Sequence, residues 1–278
     1  MFLSQLPSWL SLFQTLPGTF KGFLILISWV ILWLPLAWPV SRKIQWRPLA
    51  PLTGTQKLLM VVSLYLVVPL LVWLTVILEG TSVSDYGLWW GTSFLKSLLW
   101  GLALAIGGLG IVFGLEGRLG WLVWNRENLD SLWRLCLPLL GLAIWVSLTE
   151  ELIFRGILLN LLEEDFTVWI AAMIASGIFA LLHLLWERQE TIPQLPGLWL
   201  MGMVLVWARL IDRNSLGLAI GLHAGWVWGL ASLDAAQLIS YTGKGSYWFI
   251  GWGKQPLAGM AGILCLLGTG LILWPLFR

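Results

Sequence analysis

Residues 135–162 read LCLPLLGLAIWVSLTEELIFRGILLNLL, an apolar run broken by Glu150, Glu151 and Arg155. A helix needs about 20 mostly apolar residues to cross the hydrocarbon core of a bilayer, and this run exceeds that. Its charges begin about 15 residues in, or about 22 Å along a helix that rises 1.5 Å per residue. Keeping an ionisable group at such depth costs about 2.5 kcal/mol or more, and packing has no need of it. The stretch therefore predicts a membrane-spanning helix and, inside it, a functional site.

Similar apolar runs flank this one. They cover about 23–40, 58–78, 94–115, 168–186, 198–211, 216–233 and 256–277. The expected fold is all-α, a polytopic transmembrane bundle of about eight helices forming one membrane domain over 1–278. Its N-terminal helices occupy 1–134, a core 135–234 and a C-terminal helix 235–278. Composition agrees: 59% of the 278 residues are hydrophobic and 11% charged, where a soluble domain carries about 25% charged residues. The net charge of +2 gives no reason to expect a nucleic-acid partner, whereas 22 Trp residues suit a membrane lipid environment.

Between the runs the loops are short, and no extramembrane domain is expected. Gly217, Gly221, Gly225 and Gly229 recur every fourth residue, a nearly smooth stripe on which a neighbouring helix can pack. Gly101, Gly107, Gly108 and Gly110 suggest close contacts in the third run. Arg42, Lys43, Arg47 and Lys57 follow the first run and Arg118, Arg126 and Arg134 the third, so odd-numbered loops should face the cytoplasm, leaving both termini outside. Arg209 and Arg213, between the sixth and seventh runs, dissent. Cys136 and Cys265 read as small apolar packing residues. The first 19 residues carry no positive charge and do not resemble a cleaved signal peptide. Trp9, Leu10 and Phe13 suggest a short interfacial segment.

The chemistry lies in few residues. Glu151 and Arg155 stand at i and i+4 on one helix face, with Glu leading, and read as a structural pair. Glu150 lies about 100° around the helix and is left without that counter-charge, the setting of a general base. The chain has two histidines, His183 and His223, both within apolar runs. Phe179 precedes His183 by four and shares its face. One site fed from three helices is the economical account of Glu150, His183 and His223. No zinc-protease HExxH, GxSxG or phosphate-cradling loop occurs. His183 and Glu187 have a spacing that metal ligands can use. Zinc held by His183, His223 and Glu150 is the alternative to a site with no cofactor.

Three motifs in order make the sequence resemble the CAAX protease and bacteriocin-processing (CPBP, or Abi) family of intramembrane proteases, which includes the type II CAAX prenyl proteases. Glu150, Glu151 and Arg155 match its Glu-Glu-x-x-x-Arg, Phe179 and His183 its Phe-x-x-x-His, and His223 the start of its His-x-x-x-Asn. The resemblance spans about 144–229. It implies endoproteolysis of a membrane-associated peptide or protein, with or without a prenyl group, by a glutamate-activated water in the plasma membrane. Glu150 would be the base, His183 would orient the water and His223 would donate to the oxyanion. Glu151, Arg155 and Phe179 would support them. Val227 stands where the family has Asn and cannot hydrogen-bond through its side chain. The indole N–H of Trp226 is the candidate substitute. The competing expectations are a non-catalytic scaffold or immunity-type protein of the same fold, favoured by Val227, and a transporter or channel.

Overall fold

The computed structural model describes residues 8–47, 52–185 and 188–277. In chain order the helices are α1 (Ser8–Gln14), α2 (Gly18–Lys43), α3 (Gly54–Leu66), α4 (Val68–Glu79), α5 (Thr92–Arg118), α6 (Leu129–Glu151), α7 (Leu159–Glu163), α8 (Val168–Leu182), α9 (Arg188–Thr191), α10 (Leu195–Ile211), α11 (Gly217–Ala235), α12 (Tyr247–Ile250) and α13 (Met260–Leu273). A π-helical turn, Leu152–Leu158, joins α6 to α7. The fold is an all-α polytopic bundle. Six helical stretches among the described residues are long and apolar enough to cross a membrane, and they correspond to the first six expected runs. The seventh run forms α11, which is not among those six, and the eighth forms the 14-residue α13. The outer surface exposes Phe23, Ile31, Leu70, Ile111 and Leu137, where a soluble protein would present charge.

Local rules explain where the helices break. Thr53 and Gln56 form a reciprocal capping box that starts α3. Pro69 has no N–H to return to the Tyr65 carbonyl four residues earlier, so α3 ends and α4 begins there. The N–H of Val67 turns back to that carbonyl instead.

The glycine stripe packs as expected, with α11 meeting α5 more extensively than any other element. A Cβ at Gly225 would lie 2.6 Å from the Ala105 Cβ, and one at Gly221 would overlap the Leu98 carbonyl oxygen. From α5 the approach is reciprocal, since a Cβ on Gly101 would come within 2.8 Å of the Leu222 nitrogen. Every residue from Gly217 to Trp226 is buried.

Connections gather at two opposite ends. At one, Lys21 pairs with Glu79 (2.9 Å) and Glu164 (2.8 Å), and the Thr19 hydroxyl donates to Asp165 (2.6 Å). At the other, the segment after α5 is more than a loop: β1 (Leu122–Trp124) pairs antiparallel with β2 (Ile239–Tyr241), Leu122 opposite Tyr241. Three-residue strands leave no readable alternation in a sequence. Arg209, at the end of the sixth expected run and counted with the charges of the connection after it, lies within α10 and is buried. Cys136 and Cys265 are free thiols, each half-buried. Leu10 is buried within α1, while the side chain of Trp9 lies outside the described residues, as do Trp186 and Glu187.

Candidate active site

Glu150 and Glu151 close α6, and Arg155 follows in the π-helical turn. Such turns are often found at functional sites. Arg209 donates from α10 to the Arg155 carbonyl and to the Asn160 Oδ1 (2.7 Å), bracing the widened turn. Glu151 and Arg155 are fully buried, and Arg155 Nη1 donates to Glu151 Oε1 at 3.0 Å. The guanidinium also stands 4.3 Å from the centre of the Phe179 ring, a cation–π contact.

The pair expected from spacing is thus present, with one addition. His223 Nδ1 lies 2.7 Å from the same Glu151 oxygen. An ionised carboxylate can only accept, so Nδ1 carries the proton. His223 Nε2 then faces Glu150 Oε2 at 3.6 Å.

Glu150 is 8% exposed. Its Oε1 accepts a hydrogen bond from the Tyr65 hydroxyl of α3, whereas its Oε2 is buried without a hydrogen-bond partner among the described residues. Sequence reasoning missed Tyr65. The available signal was a hydroxyl-bearing aromatic inside an apolar run, four residues before a proline.

His183 lies in the turn that follows α8 and is half-buried. Its Nδ1 lies 2.8 Å from the Phe179 carbonyl. A carbonyl only accepts, so Nδ1 holds a proton, and in the neutral ring Nε2 is the acceptor. Phe179 sets its ring against both histidines, with centroids 4.6 Å from His183 and 6.1 Å from His223. His183 forms no hydrogen bond with Glu150 or Glu151 among the described residues, so Phe179 is its link to the other groups. Trp226 is buried, and its indole nitrogen has no hydrogen-bond partner among the described residues. The described residues contain no group of three His, Cys, Asp or Glu side chains placed to hold a metal ion.

A buried acid pair, a guanidinium and two imidazoles thus gather near one aromatic ring, groups of the kind that exchange protons. Comparison with known proteins points the same way. A family model described as "Type II CAAX prenyl endopeptidase Rce1-like" matches residues 131–229.

Residues 131–229 match the Rce1-like family.

The Rce1-like stretch contains the first two sequence motifs and the His of the third, and bears out the resemblance drawn from them. It leaves out α2 to α5, including Tyr65. A curated relative from Escherichia coli, described as an uncharacterized 24.3 kDa protein, is 35% identical over 89 residues. That alignment covers 31% of this chain and 39% of the relative, well under half the length of each. No solved structure matches.

Proposed function

We propose that this chain is an intramembrane endopeptidase of the plasma membrane that cleaves a membrane-associated peptide with a glutamate-activated water. The observation that carries the reading is the Oε2 atom of Glu150, buried without a partner and facing His223 Nε2 at 3.6 Å. A general base must have a lone pair directed at the reacting proton, and Oε2 has one in a setting that excludes most water.

In this scheme Glu150 Oε2 takes a proton from water while the water oxygen bonds to the scissile carbonyl carbon. The carbonyl becomes an oxyanion. His183 Nε2, held as an acceptor, orients the water. His223, carrying a second proton on Nε2, donates to the oxyanion while Glu151 holds its Nδ1. Collapse of the intermediate breaks the C–N bond, and the proton on Glu150 passes to the departing amine. The products are a carboxylic acid and an amine. No cofactor is called on.

With Val227 in the position of the family's Asn, Trp226 is the remaining candidate for a second oxyanion donor, because its N–H is buried and unpartnered. Trp226→Phe keeps an aromatic ring and removes that donor. It should lower kcat by about 100-fold, and full activity in this variant would remove Trp226 from the mechanism.

The test uses purified protein in liposomes with a library of membrane-tethered peptides, prenylated and unprenylated, and product identification by mass spectrometry. Wild type should cleave a subset and Glu150→Gln none. Equal cleavage by both defeats the proposal, and no cleavage by either favours the non-catalytic scaffold that Val227 suggests.

A further inference from the structure

Tyr65 reaches the site from outside the Rce1-like stretch, 85 positions before Glu150 in the chain. Several independent features hold it there. It sits on the last turn of α3, just before the break that Pro69 forces. Its ring stacks on Trp29 from α2, with centroids 6.2 Å apart and planes at 22°. Trp145 from α6 meets it edge-on at 5.9 Å. The indole of Trp29 in turn donates to the Leu64 carbonyl at 3.1 Å, tying α2 to the backbone beside Tyr65. Such a clamped ring has little rotamer freedom left to lose, and its hydroxyl has one direction to point.

That direction is Glu150 Oε1. A carboxylate has two equivalent oxygens in solution, and either can act as a base. Here they differ: Oε1 is occupied by Tyr65, while Oε2 faces His223 without a partner. We propose that Tyr65 is a positioning residue that pins Glu150 through Oε1 and thereby assigns proton transfer to Oε2. The proposal rests on the reading of Glu150 as the base. A phenol suits the task because it donates a hydrogen bond without bringing a charge that would compete with Arg155 for the neighbouring carboxylate. The N-terminal helices, which lie outside the family match, then supply part of the active geometry rather than a passive wall.

Tyr65→Phe separates this role from packing, since it keeps the ring against Trp29 and Trp145 and deletes only the hydroxyl. Hydrogen bonds to charged groups are worth enough that kcat should fall about 10- to 100-fold. KM should stay within about twofold, with the thermal midpoint unchanged. Tyr65→Leu, which also removes the ring, should in addition lower the thermal midpoint. In a Glu150→Gln background, Tyr65→Phe should cause no further loss. Wild-type kcat in Tyr65→Phe while Glu150→Gln is inactive overturns the proposal and leaves the peptidase reading standing. If Glu150→Gln retains full activity, the reading of Glu150 as the base falls instead. An infrared measurement then decides whether Tyr65 holds Glu150. The carboxylate band that Glu150→Gln removes should shift in Tyr65→Phe, and an unmoved band overturns the proposal whatever the activity.

Discussion

One oxygen, Glu151 Oε1, serves two partners, Arg155 at 3.0 Å and His223 at 2.7 Å. Its sharing couples the stability of the bundle to the orientation of an imidazole. Removing one member of a buried ion pair strands the other charge, a loss of about 3–5 kcal/mol. Arg155→Met should therefore lower the thermal midpoint strongly. Glu151→Gln combined with Arg155→Met should recover much of that loss without recovering activity, because His223 then lacks its carboxylate. A double variant no more stable than the single one would show that the pair is not held together by charge. The Glu151–Arg155 contact was legible in sequence because four residues is one helical turn. Tyr65–Glu150 was not, because the contact depends on how α3 and α6 lie beside one another, and no spacing rule spans 85 positions.

Among the elements, α5 and α11 show how small residues set helix separation. Gly101 faces the α11 backbone, with a hypothetical Cβ 2.8 Å from the Leu222 nitrogen, while Gly107 on the same helix has open space. Overpacking at a close contact costs about 1–3 kcal/mol. Gly101→Ala should lower the thermal midpoint and disturb His223, one residue beyond Leu222, whereas Gly107→Ala should leave both unchanged. Equal effects from the two would mean that the close approach does not matter to stability. The four-residue recurrence in α11 revealed its packing face in advance. The third run's glycines read alike in sequence, and only the structure separates Gly101 from Gly107. The π-helical turn at Leu152–Leu158 carried no sequence signal, since its bracing comes from Arg209, whose reach to the Arg155 carbonyl depends on how α10 packs against the turn.

Across the whole molecule, charge divides the two ends. Arg42, Lys43, Lys57, Arg118, Arg126 and Lys254 lie toward the end bearing the paired strands β1 and β2. The opposite end carries Glu79, Asp85, Glu164, Asp165 and Asp212 against Lys96 and Arg213, with Lys21 neutralised between two of the carboxylates. Positive residues are retained on the cytoplasmic side, so the end with the paired strands should face the cytoplasm. With Cys136 and Cys265 replaced, a cysteine at Lys254 should react with an impermeant reagent only in inside-out vesicles, and one at Glu164 only in right-side-out cells. The reverse pattern would invert the topology. The bundle was readable from hydropathy, because a bilayer demands apolar length whatever the tertiary contacts. The count of independent spans was not, because α11 meets the other helices and not lipid along its first half.

That sheathing bears on biogenesis. A helix whose first half is enclosed by protein, and which is not among the six apolar enough to cross unaided, has no reason to leave the translocon for lipid alone. Such a helix is expected to enter the bilayer escorted, docking on α5 through its glycine face as the later part of the chain is made. His223 rides on that escorted segment, so the imidazole reaches the two carboxylates as one of the last events of assembly, and the growing chain spends most of its synthesis without a complete site.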